Sequence, residues 1–258
     1  MKPTPSQLFS IRKQFSTMNS KEDFLNLLNY SKELIYKEKC IPFTLKQLNF
    51  YISKDSKAIS VKKSAYHSFE IKKKSGTNRT IHAPKKGLKE FQKALNIILQ
   101  CIYKPHEAAT GFVVGKSIVD NARQHTGKLY VYNVDLKDFF PSVDASRVWG
   151  RLLSKPFNLG KTDERKQIAN MIKTLCCNTM SVERFIEGEW KTIQASVLPQ
   201  GAPTSPTITN AICERLDIKL NGLARRFNLK YSRYADDITF SSNHNTYTLK
   251  ANETETIF

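Results

Sequence analysis

The chain has 258 residues, enough for one large domain or two small ones, and its 40% hydrophobic content excludes a disordered chain. Its 41 lysines and arginines exceed its 23 acids, and the net charge of +18 favours a polyanionic partner, nucleic acid before membrane. No apolar stretch reaches the roughly 20 residues of a membrane span, and the N-terminus lacks a secretion signal, so no membrane partner and a cytoplasmic location are predicted.

The first half of the chain alternates helical and extended patterns. A helix is predicted over residues 20–37, where a capping box precedes an apolar face, and a second, short helix begins at Thr44. Period-two alternation over residues 66–84 predicts a hairpin with a basic tip, KKSGTN. Residues 86–103 return to a helical period.

The second half contains two further hairpins between helices. The predicted elements are a strand from residue 128, a helix over 163–177, a hairpin over 182–197, a loop over 198–206, a helix over 207–226 and a hairpin over 232–242. Strands and helices are interspersed without regular βαβ alternation, which favours an α+β fold.

Three aspartates stand at predicted strand ends. Asp236 and Asp237 lie between two β-like runs in SRYADDITFSS, and Asp135 follows a strand in NVDLKDFF. Hard cations such as Mg²⁺ take oxygen ligands, and two such ions about 4 Å apart can activate a hydroxyl and stabilise leaving pyrophosphate. An isolated Asp-Asp pair is more often an ordinary turn. The second strand-end acid and the basic charge favour a metal site, provided that the two strands are neighbours.

Five stretches, in order, resemble motifs of reverse transcriptases. YADD (234–237) resembles the polymerase signature, NVDLKDFFPS (133–142) the first palm motif, LPQGAPTSP (198–206) the dNTP- and template-side loop, and KKKSGTNRTIHAP (72–84) the fingers hairpin. NARQH (121–125) matches the Asn-Ala-x-x-His pattern associated with bacterial retron reverse transcriptases. The resemblance implies a right-hand polymerase fold of fingers and palm, with an antiparallel palm sheet and helices.

The resemblance implies roles for individual acids and one aromatic residue. It makes Asp135, Asp236 and Asp237 the catalytic ligands of two Mg²⁺ ions, with Mn²⁺ as a substitute. Phe140 falls at the position that screens the sugar 2′ carbon, which implies selection of dNTPs over rNTPs. Plain core packing is the alternative for Phe140.

Further contacts with substrates are expected from the basic hairpin and the loop. Lys73 and Arg79 would bind the triphosphate, since Arg clamps phosphate oxygens bidentately, although a solvated basic loop is the alternative. Gln200 and Gly201 would approach the nucleotide, or simply form a loop-to-helix turn. The expected nucleic-acid contacts are Asn121, His125 and Tyr234. A lone histidine is more often structural, and Tyr234 could merely finish its strand.

The resemblance also implies a domain plan. Residues 1–60 would form an N-terminal helical extension and residues 61–258 the fingers and palm, with the family's thumb absent from this chain. The expected subdivision is fingers mainly over 61–110 and 145–197, and palm mainly over 111–144 and 198–258.

The implied function is RNA-directed DNA polymerisation of the retron type. Nucleotides from dNTPs would be joined to a primer hydroxyl on a structured non-coding RNA template to give a DNA product. The resemblance also implies a role in anti-phage defence, often with an effector protein. Two alternatives stay open: a catalytically impaired RNA-binding scaffold on a polymerase fold, and a group II intron-like or diversity-generating reverse transcriptase.

Overall fold

The computed structural model describes residues 3–53, 65–72, 76 and 78–245. The chain divides into two compact units. Unit 1 comprises Met1–Lys104 and Asp138–Ile212, and unit 2 comprises Pro105–Lys137 and Cys213–Phe258. The N-terminal helices thus share one compact unit with the hairpins that follow them, and the predicted subdivision into extension, fingers and palm stays a prediction.

The elements confirm the predicted α+β class. The helices are α1 (Pro5–Thr17), α2 (Lys21–Tyr36), α3 (Leu45–Ile52), α4 (Lys86–Ile102), α5 (Ile118–Ala122), α6 (Ala145–Leu153), α7 (Asp163–Cys176) and α8 (Ser205–Arg226). The strands are β1 (Tyr66–Lys72), β2 (Asn78–Pro84), β3 (Tyr130–Asp135), β4 (Asn178–Ile186), β5 (Glu189–Val197), β6 (Lys230–Tyr234) and β7 (Asp237–Ser242). None of the helices within the described residues is long and apolar enough to cross a bilayer.

The predicted helix starts follow from capping. The side chains of Ser20 and Thr44 accept hydrogen bonds from the third residue of α2 and α3, completing the capping boxes that the sequence indicates. Helices α1, α5 and α6 were not predicted. Helix α1 nevertheless begins with a capping box of its own, in which Thr4 accepts from Gln7.

Unit 1 is built on a large apolar core with two separate hairpins. Helices α2 and α4 supply buried residues such as Phe24, Leu28 and Leu95, and Phe43 stacks on Phe91 with ring centroids 3.7 Å apart. Strand β1 pairs with β2 and β4 with β5, each as an antiparallel pair. The expected basic hairpin and the hairpin that turns near Gly188 are therefore both confirmed.

Unit 2 contains a three-stranded antiparallel sheet in the order β3–β7–β6. Side chains on one face, including Tyr231 and Phe240, pack with Leu216, Leu220 and Ala224 of α8. Alternation along β7 places Asp237 on the opposite face from these residues. The sheet is the antiparallel palm sheet that the resemblance implies.

Candidate functional site

The two adjacent aspartates lie at the tip of the β6–β7 hairpin. Strand β6 ends at Tyr234, β7 begins at Asp237, and these two residues pair across the hairpin. The intervening turn contains Ala235, whose φ of 58° lies in the left-handed region that non-glycine residues rarely adopt. Asp236 is half-buried and Asp237 is exposed, so both carboxylates are accessible from solvent.

The third aspartate stands directly across the sheet. Asp135, the last residue of β3, pairs with Asp237 of β7, and the backbone N–H of Leu136 donates to the carbonyl of Asp236 at 3.1 Å. Directly opposite residues of an antiparallel pair face the same side, with Cβ atoms about 5 Å apart. The metal-site interpretation required β3 and β7 to be neighbours, and they are.

The aspartates influence one another electrostatically. Partial burial raises the pKa of Asp237, and the negative charges of Asp236 and Asp135 raise it further. Within the described residues, no group of three or more acids, histidines or cysteines is already arranged as a metal centre. The chemistry of the carboxylates still fits a hard divalent cation, because such a cation takes oxygen ligands and would offset their mutual repulsion.

A buried ion pair supports the acid-bearing turn from the other face of the sheet. Arg233 of β6 and Asp217 of α8 are both fully buried, with 2.7 Å between Nη2 and Oδ2. Arg233 also donates through Nη1 to the carbonyl of Ala235 at 2.9 Å. The turn is therefore tied to the second half of α8.

A second polar network contains the Asn-Ala-x-x-His residues. His125 forms 2.7 Å hydrogen bonds with the hydroxyls of Ser232 on β6 and Ser241 on β7. The side-chain oxygen of Asn121 accepts from Ser232 at 2.8 Å and from Thr110 at 2.7 Å. Both Asn121 and His125 are buried, and these internal partners account for the side-chain oxygen of Asn121 and both ring nitrogens of His125. Their contact with nucleic acid stays a prediction.

The segment before α5 passes very close to the acid-bearing turn. A Cβ added to Gly111 would lie 2.3 Å from the backbone nitrogen of Ala235, so a residue without a side chain is required there. The rings of Phe112 and Tyr234 have centroids 6.4 Å apart. Tyr234 is half-buried, and its predicted nucleic-acid contact is likewise untested.

The residues expected to bind the nucleotide lie in unit 1, on segments joined by backbone hydrogen bonds. His82 of β2 donates to the carbonyl of Gln200 at 2.8 Å, and a Cβ at Gly201, whose φ is 115°, would meet Ile81 and His82. The N–H of Leu198 donates to the carbonyl of Val143 at 3.0 Å. The 198–201 loop thus joins β2 to the turn that follows Phe140.

Individual side chains of this set differ in exposure. Arg79 is exposed on β2 opposite Ile71, as a phosphate-binding residue would need to be. Phe140 is half-buried, whereas its neighbour Phe139 is buried, as expected for the residue that packs inward. Lys73 lies outside the described residues.

Sequence reasoning missed Arg233, Asp217 and Gly111. A signal existed for the first two, since each is a charge at a position facing apolar neighbours: Arg233 alternates with Tyr231 on β6, and Asp217 follows Leu216 on α8. A charged side chain is almost never fully buried without a partner, so each of these positions indicates a buried pair, but the sequence does not indicate that the two side chains pair with each other. No sequence signal reveals the close approach of Gly111.

Comparison with known proteins identifies the family of the chain. The family model described as reverse transcriptase (RNA-dependent DNA polymerase) matches residues 71–255. The chain is 42% identical over 181 residues to the retron Mx162 reverse transcriptase of Myxococcus xanthus, covering 68% of this chain and 35% of that protein. It is 33% identical over 192 residues to the retron Ec86 reverse transcriptase of Escherichia coli, covering 73% and 52%.

The similarity to these relatives is partial in length. The chain spans between about a third and about half of the curated relatives it matches. A solved partial Cas6-RT-Cas1–Cas2 complex matches with a TM-score of 0.35 at 21% identity, over 85% of this chain and 37% of that one, a likeness too weak to carry any argument. The family match covers well over half of the chain, in the region that contains all three aspartates. The chain therefore belongs to the reverse transcriptase (RNA-dependent DNA polymerase) family, and its retron members in bacteria are among its relatives.

Proposed function

We propose that the protein is an RNA-directed DNA polymerase of retron type and that Asp135, Asp236 and Asp237 hold two divalent cations for nucleotidyl transfer. The carrying observation is the register of the sheet, in which Asp135 faces Asp237 and Asp236 adjoins it. Mg²⁺ is the proposed metal because it prefers carboxylate oxygens and completes its shell with substrate phosphates, and Mn²⁺ would substitute for it.

The three carboxylates would share one role, which is to bind the cations at the end of the sheet. When bound, the cations would lower the pKa of a primer hydroxyl and stabilise the leaving pyrophosphate. The raised pKa of Asp237 supports this role, since burial first, and then the charges of Asp236 and Asp135, disfavour its ionised form, which a bound cation would stabilise. Asp135 and Asp237 are exposed, which leaves room for substrate oxygens.

The nucleotide would be bound by residues of unit 1. Arg79 is proposed to hold the triphosphate, because guanidinium groups bind phosphate oxygens bidentately. Lys73 is proposed as a second phosphate contact. Gln200 and Gly201 would approach the nucleotide through the loop fixed to β2, and Phe140 would exclude a ribose 2′-hydroxyl.

The template is proposed to be a structured non-coding RNA, and the product DNA. The net charge of +18 supports a polyanionic partner, and the similarity to retron reverse transcriptases supports an RNA of the retron kind. Tyr234, Asn121 and His125 stay the proposed contacts with nucleic acid. A role in anti-phage defence, an effector protein and a cytoplasmic location belong to the same proposal.

Primer extension on an RNA template with dNTPs and Mg²⁺ tests the proposal. We expect Asp236→Asn combined with Asp237→Asn to reduce incorporation by at least about a thousandfold, since electrostatic groups at a reacting centre contribute roughly 10²–10³ each. Asp138→Asn is the matched control. Asp138 is an exposed aspartate at a φ of 50°, which asparagine tolerates, and it is not among the proposed ligands.

Two results would contradict the proposal. Incorporation that survives the double substitution would refute the role of the aspartates. Salt-sensitive RNA binding without any incorporation by the wild-type protein would support the alternative of an RNA-binding scaffold on a polymerase fold.

A further inference from the structure

The side chain of Arg233 joins helix α8 to the turn that carries Asp236 and Asp237. Its Nε donates to Oδ1 of Asp217 at 2.8 Å and its Nη2 to Oδ2 at 2.7 Å, so the carboxylate is bound bidentately. Nη1 donates to the carbonyl of Ala235 at 2.9 Å. A guanidinium can serve two acceptors in fixed directions, which a lysine ammonium at the end of a flexible stem cannot.

The backbone of Arg233 is held as firmly as its side chain. Its N–H donates to the carbonyl of Ala108 at 2.9 Å, and its carbonyl accepts from the N–H of Thr110 at 2.8 Å. The guanidinium therefore extends from strand β6, which these backbone hydrogen bonds hold in place, toward helix α8. The carbonyl of Ala235 is fixed relative to both.

Ala235 needs such support because of its own conformation. It is a non-glycine residue at φ 58°, immediately before the two aspartates. Uncommon backbone conformations of this kind persist when the surrounding structure over-determines them, and they cluster at functional sites. The hydrogen bond from Arg233 is one of the contacts that impose the conformation here.

The ion pair is poorly explained by stability alone. Both side chains are fully buried, and well-packed apolar residues often replace such a pair without loss of stability. Burial acts to lower the pKa of Arg233, but the hydrogen bonds and the charge of Asp217 outweigh burial and raise it, so the guanidinium stays charged. Tyr231 donates to the same Oδ1 at 2.7 Å, so Asp217 has several donors.

Arg233 does not lie on the face that would meet substrate. In the β6–β7 register, Tyr234 pairs with Asp237 and Arg233 pairs with Ile238, so the guanidinium and the Asp237 carboxylate point to opposite faces of the sheet. Any influence of Arg233 on the reaction must therefore pass through the turn.

We propose that Arg233 is a positioning residue which, held by Asp217, fixes the Ala235 carbonyl and thereby sets the geometry in which Asp236 and Asp237 receive divalent cations. The part concerning cations rests on the proposed function, whereas the part concerning the turn does not. The two parts call for two measurements. Hydrogen exchange of the peptide spanning the turn reports its geometry, and electron paramagnetic resonance of added Mn²⁺ reports cation binding.

Two variants separate positioning from stability. Arg233→Lys keeps the positive charge but loses the planar guanidinium, which binds two acceptors in fixed directions. The triple variant Asp217→Leu, Tyr231→Phe, Arg233→Met removes the three polar side chains at once, so that no unpaired buried charge is left and only the Ala235 carbonyl loses a donor. In both variants we expect hydrogen exchange of the turn amides to be about three- to tenfold faster, which is the factor expected for the loss of one hydrogen bond. We also expect both variants to bind Mn²⁺ several-fold more weakly. The triple variant should keep a melting temperature close to that of the wild type.

Arg225→Lys is the matched control in the same unit. Arg225 forms a 2.9 Å ion pair with Glu107, but both partners are more than two-thirds exposed and neither contacts the turn. This variant should leave turn exchange and Mn²⁺ binding unchanged.

Each outcome decides the matter. Wild-type exchange and wild-type Mn²⁺ binding in the folded Arg233 variants would overturn the proposal, and so would failure of both variants to fold, since the pair would then be structural only. If the wild type binds no Mn²⁺ while turn exchange still rises in Arg233→Lys, the proposed function fails and the positioning of the turn stands.

Discussion

At the scale of the residue, the surroundings of Asp237 oppose the ionisation of its carboxyl group. Burial and then the charges of Asp236 and Asp135 raise its pKa. A carboxyl with a raised pKa binds its proton more tightly in the folded chain than in the unfolded one. The associated stabilisation is therefore present at low pH and is lost as the pH rises through the folded-state pKa.

We expect Asp237→Asn to raise the free energy of unfolding at neutral pH, in the absence of divalent cations, by up to about 1 kcal/mol, since like charges facing one another across a sheet are destabilising by roughly that much. The gain should shrink as the pH falls through the raised folded-state pKa toward the ordinary value of 3.8, because folded wild-type Asp237 takes up its proton above that value. Urea unfolding with a chelator at several pH values measures it. Asp138→Asn should show no such gain, and equal stability of the Asp237 variant and the wild type at neutral pH would contradict the expectation.

Gly111 provides a second prediction at this scale. Alanine there would place its Cβ 2.3 Å from the Ala235 nitrogen and 2.9 Å from the Tyr234 carbonyl carbon, so backbone must move. Overpacking of this kind costs about 1–3 kcal/mol, and we expect thermal unfolding at lower temperature together with reduced primer extension. Gly222→Ala is the control, because nothing lies within 4 Å of its added Cβ and it sits inside α8. Normal stability and extension in Gly111→Ala would show that the turn tolerates displacement.

Sequence alone identified the acids of the site but not the residues that hold them. Asp135, Asp236 and Asp237 are recognisable because each lies at a strand end beside a distinctive motif. Arg233 and Asp217 escape such reasoning because their partnership depends on which face of α8 meets β6, which local periodicity does not specify. Gly111 escapes it because its constraint comes from backbone that is distant in sequence.

At the scale of the element, helix α5 and the three-residue segment that follows it, Arg123–His125, hold strands β6 and β7 together. His125 bridges β6 and β7 through Ser232 and Ser241, and Asn121 joins Ser232 to Thr110. The bridging side chains lie on the same face of the sheet as Asp237, farther along the strands. The hairpin that carries the acids is thus fixed from both faces, by His125 on one and Arg233 on the other.

The connection that His125 makes between β6 and β7 should weaken as its ring becomes protonated. Burial, followed by the charges of Lys230 and Lys128, lowers the pKa of His125, so the unfolded chain takes up this proton more readily than the folded one. Its contribution to stability is therefore complete above the ordinary value of 6.5 and is lost as the pH falls toward the folded-state pKa. We expect the free energy of unfolding to fall between about pH 7.5 and pH 5.5.

His125→Gln is the variant that isolates this effect. It should lose about 1–3 kcal/mol at neutral pH through imperfect replacement of buried hydrogen bonds, and its stability should depend less on pH over the same range. The pKa of His82 is also lowered by burial, but His82 is present in both proteins and cancels in the comparison. Identical pH dependence in the two proteins would contradict the assignment.

Elements with a clear period or capping signal were predicted from the sequence, whereas helices α1, α5 and α6 were not. Helix α4 and the three hairpins carry clear periods, and their limits agree with the expected ones within a few residues. Helix α5 has only five residues, too few to display a helical period. Helix α6 has nine residues and buries Val148 and Leu152 one turn apart, so its pattern covers only about two turns.

At the scale of the whole molecule, the surplus of basic residues is the property most directly tied to a partner. The net charge is +18, and binding of a nucleic acid by such a surface releases counterions, so affinity falls as salt rises. The same charge also supplies a field that attracts RNA before any specific contact forms. Affinity for RNA and the chemistry of the aspartates should therefore be separable.

We expect RNA affinity to fall at least about tenfold between 50 and 200 mM salt, since each neutralised phosphate contributes a logarithmic slope of roughly −0.7 for single strands. The doubly substituted Asp236→Asn, Asp237→Asn protein should bind RNA as tightly as the wild type or more tightly. Filter binding or fluorescence anisotropy across a salt series measures both. Affinity that is insensitive to salt would contradict an electrostatic mode of binding.

The order of the strands in the sheet of unit 2 has a consequence for biosynthesis. Strand β3 pairs with β7, and most of the residues that intervene, Asp138–Ile212, belong to unit 1. During synthesis, strand β3, which includes Val131 and Tyr132, leaves the ribosome before β7. It stays unpaired until the second segment of unit 1 and β7 have been synthesised. Pairing segments so far apart in sequence carries a loop-closure cost before any contact offsets it, so this sheet should form late in folding.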